Sequence, residues 1–164
     1  MNGVMKRDLN RMRAALAGIG LALSACASVP PSPPGIERIT YSPSPPPFCG
    51  GRCEQTTFTV GEDGVLRGET EYQVRFGDWR RRRFTRHVTP EQFAAFRKAL
   101  EAYRPAADRS VGEENCKDHV FDSAGVIIAW SRGDERRTLV VDLGCQDDGE
   151  MNAALDQAPR ALGL

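Results

Sequence analysis

The chain is predicted to fold as an α+β domain: an antiparallel β-sheet meander with two helices packed on one face, braced by disulfides. Three observations carry this. Alternating strand patterns come in two blocks, each folded back by glycine-containing turns. A stretch with a full set of helix-start signals separates the blocks, and a second short helical stretch follows them. Four cysteines, an even number, lie beyond an export signal.

The first block begins at residues 54–60, which are rich in Thr and Phe and alternate as a strand does. Gly61-Glu62-Asp63-Gly64 is a turn, its glycines free to take positive φ. Residues 65–76 form the next strand, with Tyr72, Val74 and Phe76 on one face. Gly77-Asp78 is a two-residue hairpin signal, and residues 79–88 return. Thr89-Pro90-Glu91-Gln92 then starts a helix: Thr89 caps it, Pro90 suits the first helical position and Gln92 completes a capping box. Phe93, Phe96, Leu100 and Tyr103 follow as one apolar stripe, and Pro105 stops the helix. Residues 106–124 read as polar and irregular. Residues 125–131 (GVIIAWS) and 136–143 (RRTLVVDL) form a second hairpin around Arg132-Gly133-Asp134-Glu135. Asp148 caps a short last helix holding Met151 and Leu155, which Pro159 ends or bends.

The first 25 residues read as an address. A basic start (Lys6, Arg7, Arg11, Arg13) precedes a short apolar stretch, residues 14–23, and then small residues. That is a secretory signal rather than a membrane span, which needs about 20 apolar residues. Leu23-Ser24-Ala25-Cys26 resembles the lipobox of bacterial lipoproteins. The resemblance implies cleavage before Cys26 and acylation of it, giving a membrane partner through an N-terminal lipid. Ala27, rather than Asp, follows the cysteine, which in the Gram-negative sorting rule implies the outer membrane with the domain facing the periplasm. Cleavage leaves 18 basic and 21 acidic residues, a net charge of about −3, where the uncut chain has 22 of each. Neither balance suits nucleic acid, whose binding needs a strongly basic surface.

Eight of the eleven prolines lie between Pro30 and Pro47, so residues 26–47 read as a lipidated, extended tether. Within it, residues 36–41, with Ile36, Ile39 and Tyr41, read as an edge strand. Residues 48–164 are then a single domain, long enough for one core.

Beyond Cys26 stand Cys49, Cys53, Cys116 and Cys145, which admit three disulfide pairings. Antiparallel pairing of the second hairpin brings its two ends together, which favours Cys116 with Cys145 and leaves Cys49 with Cys53 to close a tight loop over Gly50-Gly51. Two alternatives compete. One is a redox dithiol at Cys49 and Cys53, although three residues separate them and no thioredoxin-like context follows. The other is a zinc site built on Cys116-x-x-His119 or with His87, which lacks a convincing second ligand pair.

Phe48-Cys49-Gly50-Gly51-Arg52-Cys53 and the following Phe58-Thr59-Val60-Gly61-Glu62-Asp63-Gly64-Val65 resemble a bacterial envelope domain of unknown function that often follows lipoprotein signals. Its members open on a strand and a Cys-x-Gly-x-Cys turn, followed by hairpin, helix and hairpin. Residues 36–41, Gly77, the helix from Pro90 and the hairpin at Gly133 stand in the corresponding order. Glu54 replaces that turn's proline, the turn's tyrosine is missing, and a proline run separates the first strand from Cys49. The family has no established activity, so the resemblance implies no catalytic residue.

Arg80-Arg81-Arg82-Arg83 is the most unusual local feature. Strand alternation puts Arg80 and Arg82 on the face of Phe84, and Arg81 and Arg83 on that of Trp79, so the run makes no single flat patch. It reads either as a charged arm that discourages edge pairing or as an anion-binding arm for lipid or glycan. Glu113, Glu114, Asp118, Asp122, Asp142, Asp147 and Asp148 show no EF-hand spacing and read as surface acids. His119 with Asp118 or Asp122 is no recognisable acid–base pair without a nucleophile. The chain carries no Gly-x-Ser-x-Gly, no phosphate-binding loop and no His-Glu-x-x-His. The expectation is therefore a non-catalytic outer-membrane lipoprotein that binds an envelope protein or glycan, with no cofactor and no metal. The alternatives are a thiol-redox or other envelope enzyme using Cys49 and Cys53, or an anion binder acting through the arginines.

Overall fold

The computed structural model describes residues 35–44, 53–75 and 77–164, apart from the side chain of Glu113. Seven strands among these residues make one sheet: β1 (Glu37–Ser44), β2 (Glu54–Gly61), β3 (Val65–Arg75), β4 (Asp78–His87), β5 (Arg109–Val111), β6 (Gly125–Arg132) and β7 (Glu135–Asp142). Helix α1 (Pro90–Glu101) follows β4, helix α2 (Gly149–Gln157) follows β7, and a 3₁₀ turn at Ala158–Leu162 follows α2. The order across the sheet is β4-β3-β2-β1-β6-β7-β5.

The α+β class and the disulfide brace stand, but the sheet is mixed. β1 to β4 form the expected meander and β6–β7 the expected hairpin, whereas β5 pairs parallel with β7. β5 lies in the stretch read as irregular. Three residues are too few for alternation to show, yet Val111 is buried. Helix α1 lies in the chain between β4, at one edge of the sheet, and β5, at the other.

The larger correction concerns the first strand. Residues 36–41 are not an edge strand. β1 runs to Ser44 in the middle of the sheet, pairing with β2 over Arg38 to Tyr41 and with β6 over its whole length. Prolines argue against an interior strand because they lack the N–H that a ladder uses. Here Pro43 is tolerated because it lies beyond the β2 ladder, with only β6 beside it. Alternation decides the rest. Ile39 and Tyr41 point into the core, while Thr40 and Ser42 point to the other face and hydrogen-bond Thr59 (2.9 Å) and Thr57 (3.1 Å).

α1 starts as its sequence demands. Thr89 Oγ1 accepts from the Gln92 amide at 3.2 Å, and Gln92 Oε1 accepts from the Thr89 amide at 2.9 Å. Phe93, Phe96 and Leu100 enter the core, with Phe96 against Phe58 at 5.7 Å between ring centroids. Burying each such side chain contributes roughly 1.5–3 kcal/mol. α2 begins after Asp148, but that side chain makes no capping hydrogen bond. Asn152 secures the helix instead, its Nδ2 donating to the Leu143 and Cys145 carbonyls at 3.1 and 2.6 Å. α2 gives way to the 3₁₀ turn that holds Pro159.

At the start of β1, Glu37 is 1% exposed. Arg104 Nη1 donates to its Oε1 at 2.7 Å, and Arg97 Nε stands 3.0 Å from Oε2. A buried carboxylate needs such partners, because an unpaired one would forfeit its hydration.

Two outcomes are expected from chemical denaturation. Glu37→Ala, which strands Arg97 and Arg104 beside an apolar hole, lowers stability by about 2–3 kcal/mol, less than for a fully buried pair because both arginines reach solvent. Thr89→Ala, which removes one cap, lowers it by about 1 kcal/mol.

Candidate functional site

The β3–β4 register decides what the arginine run does. Glu69 faces Arg83 and Glu71 faces Arg81, whereas Thr70 faces Arg82 and Tyr72 faces Arg80. On the first face the charges cancel: Arg83 Nε donates to Glu69 at 2.7 Å, and Arg81 Nε lies 2.6 Å from Glu71. The hydrogen bond from Arg83 outweighs desolvation and holds the Glu69 carboxyl below its ordinary range. On the second face Arg80 turns back to Asp78 at 3.3 Å, and Arg82 has no acidic partner among the described residues.

That second face forms one wall of a cavity of about 680 Å³, within the usual range for small-ligand sites. Arg82, Phe84 and Arg86 of β4 line one side, the 3₁₀ turn and Asp156 the other, with Thr56, Phe58 and Thr70 among the strand residues between. Thr56 and Thr70 hydrogen-bond each other at 3.0 Å. Phe84 lies across β3 because Gly68 faces it there; a Cβ at Gly68 would come within 2.8 Å of Phe84 Cε1. The Arg86 guanidinium stacks over the Phe84 ring, 5.2 Å from its centroid. Tyr41 closes the inner end, its hydroxyl donating to the Leu155 carbonyl at 3.1 Å. Burial, and then the charge of Asp156, push the Tyr41 pKa up to about 12, so the hydroxyl stays a neutral donor. Ser44, the last residue of β1, and Glu54, the first of β2, also line the cavity.

A second cluster surrounds the disulfide. Cys116 and Cys145 are bonded, with Cα atoms 5.6 Å apart, closing a loop of 29 residues in sequence separation. His119 lies in that loop, and its partner is neither Asp118 nor Asp122 but Asp142 at the end of β7, with 2.8 Å between Nε2 and Oδ2. The other carboxylate oxygen accepts from Ser123 Oγ and, at 2.9 Å, from the Gly144 amide. The group holds a serine, a histidine and an aspartate in the wrong order for nucleophilic catalysis. A base must stand between nucleophile and orienting acid; here the acid stands between the other two, and His119 Nδ1 is buried with no hydrogen-bond partner among the described residues. The cluster fastens the 116–124 loop to β7. Asp147 lies beside Cys116 and Cys145, but those sulfurs are bonded to each other and offer no thiolate to a metal.

Of the other sulfurs singled out, Cys53 is buried and disulfide-bonded, while Cys26 and Cys49 lie outside the described residues. Sequence reasoning missed Glu54, Arg86 and Asp156 at the cavity. Arg86 was within reach of it, being two further steps along the alternation from Arg82. Glu54 and Asp156 carry no local mark.

The Asp142 carboxyl is desolvated by burial, which raises its pKa, but the hydrogen bonds from Ser123, His119 and the Gly144 amide outweigh this and hold it below the ordinary aspartate range. A depressed folded-state pKa adds stability above the unfolded value, and this is lost as pH falls through the folded one. Asp142→Asn is therefore expected to destabilise the protein by about 1–2 kcal/mol at pH 7, and by progressively less below about pH 4. Unfolding midpoints across pH 2–7 check this; a mutant deficit that grows on acidification would contradict it. Set against known proteins, the chain matches no family model and no curated sequence.

Proposed function

We propose that the protein is a lipid-anchored module of the bacterial envelope that binds a small ligand and performs no chemistry on it. The Leu23-Ser24-Ala25-Cys26 lipobox supports export and acylation at Cys26, and Ala27 supports the outer membrane, with the domain facing the periplasm. The resemblance to an envelope domain of unknown function supports the same compartment. On this reading the two helices cover one face of the sheet and leave the β3–β4 wing bare on that side.

The observation that carries binding is the cavity under that wing. It is walled by strands on one side and helix and 3₁₀ turn on the other, and it mixes aromatic surface with charged side chains. The thiol-redox alternative is weaker: Cys53 is buried, and thiol–disulfide exchange needs an accessible sulfur. The anion-binding arm survives in altered form, since Arg81 and Arg83 are matched by Glu69 and Glu71 while Arg82 faces the cavity.

Production of the full chain in a Gram-negative bacterium fed an alkyne-tagged fatty acid tests the anchor. The label is expected on a membrane-bound product that begins at Cys26, and Cys26→Ser is expected to lose both label and membrane retention. An unlabelled product that keeps residues 1–25 and stays in the cytoplasm would overturn the reading.

A further inference from the structure

We propose that the cavity takes a short peptide with free termini, a zwitterion whose ammonium and carboxylate are held at opposite sides and whose apolar body rests on the aromatic floor. The proposal builds on the binding reading above and names its ligand class.

Four charged side chains line the cavity: Arg82 and Arg86 from β4, Glu54 from β2 and Asp156 from α2. Among the described residues none of the four forms an ion pair. This is not for want of opposite charge, since two of each sign line the same space. Nor is it the habit of this sheet. On its other face Arg81, Arg83 and Arg38 all find acids, in Glu71, Glu69 and Asp63. In the cavity the two signs are held apart by the fold. β3 lies between β4 and β2, and two inter-strand spacings separate their backbones by roughly 10 Å. Asp156 is carried on a different element altogether.

Unpaired charges of both signs spaced round one cavity suit a ligand that carries both. An extended chain advances about 3.3–3.6 Å per residue, so two or three residues bring their termini to the spacing the walls set. A guanidinium binds a carboxylate through paired N–H donors, and Glu54 and Asp156 offer acceptors to an ammonium. Between the charges the floor combines the Thr56–Thr70 hydroxyl pair with aromatic rings, Phe58 stacked on Tyr41 at 5.3 Å and Phe84 lying over Gly68. A fatty acid or a free phosphate would leave Glu54 and Asp156 unanswered and bring a second negative charge near them.

The test is calorimetric titration of the full lipoprotein in detergent micelles. The probes are L-alanyl-L-phenylalanine, its N-acetylated and C-amidated form, and decanoate. The free dipeptide is expected to bind at least tenfold more tightly than the capped one. Arg82→Gln and Glu54→Gln are each expected to weaken it roughly tenfold, and Arg81→Gln, on the opposite face, to leave it unchanged. Both changed side chains of the cavity are exposed, and the capped probe asks the same question without any substitution. Equal binding of free and capped dipeptides, or no binding of the free one at millimolar concentration, would overturn the proposal. Binding of decanoate without the dipeptide would also overturn it, while leaving the module reading intact. A protein that stays uncut and unacylated in the cytoplasm yet still binds the dipeptide would sink the envelope reading and leave this one standing.

Discussion

The structure depends on β1 being paired along both sides. The β1–β4 meander and the β6–β7 hairpin are each locally folded units, and they form one sheet only because β1 lies between β2 and β6. Ile39, between Val60 and Trp130, is fully buried. The Glu37 carboxylate at the head of the strand anchors Arg97 of α1 and Arg104 just beyond it, so the helix and the sheet share one electrostatic fixture. The foot of the strand has the opposite character. From Ser42 onward β2 has left the backbone ladder, and Pro43 and Ser44 there line the cavity. One strand thus closes the core at one end and lines the candidate site at the other.

Much of this was legible in the sequence wherever the signal was local. The capping box at Thr89 and Gln92, the turns at Gly64, Gly77 and Gly133, and the alternation of the arginines all follow from residues within a few positions of one another. Each is found where local chemistry puts it. Even the Cys116–Cys145 bridge followed from a hairpin whose ends must meet. What escaped was set by distance along the chain. β1 pairs with β6 across some ninety residues, and neither strand carries a mark of the other, while the surrounding prolines argue for a tether. Glu37 reads as a surface acid until Arg97 and Arg104 are brought over it. His119 had nearby acids to choose from in sequence, and the disulfide delivered it to Asp142 instead. The cavity escaped for the same reason: β2, β4 and α2 each supply charges that only the tertiary fold brings round one space.

The arginine run illustrates how a sheet can put one composition to two uses. Pleating sends Arg81 and Arg83 to a face where β3 presents Glu69 and Glu71 directly opposite, and the charges on that face cancel. The residues between them go to the face where β3 presents Thr70 and Tyr72, neither of which can neutralise a guanidinium. Arg80 turns back to Asp78, while the charge of Arg82 remains available. The division needs only a period of two and the placement of acids at alternate positions of the neighbouring strand.

That division also answers a difficulty that β4 creates. Among the described residues it is a long strand at the sheet's edge, with one side of its backbone unpaired, and such edges invite a second strand. If two copies paired through β4, consecutive arginines on one would lie against consecutive arginines on the other, on both faces at once. The glutamates that neutralise Arg81 and Arg83 are already engaged by them within the same chain. Like charges directly opposite one another are unfavourable, so the edge resists its own kind, whereas a strand bearing acids would meet no such repulsion. Keeping β4 single keeps the wing one strand wide beyond β3 and leaves Arg82 and Arg86 facing the cavity rather than a neighbouring sheet.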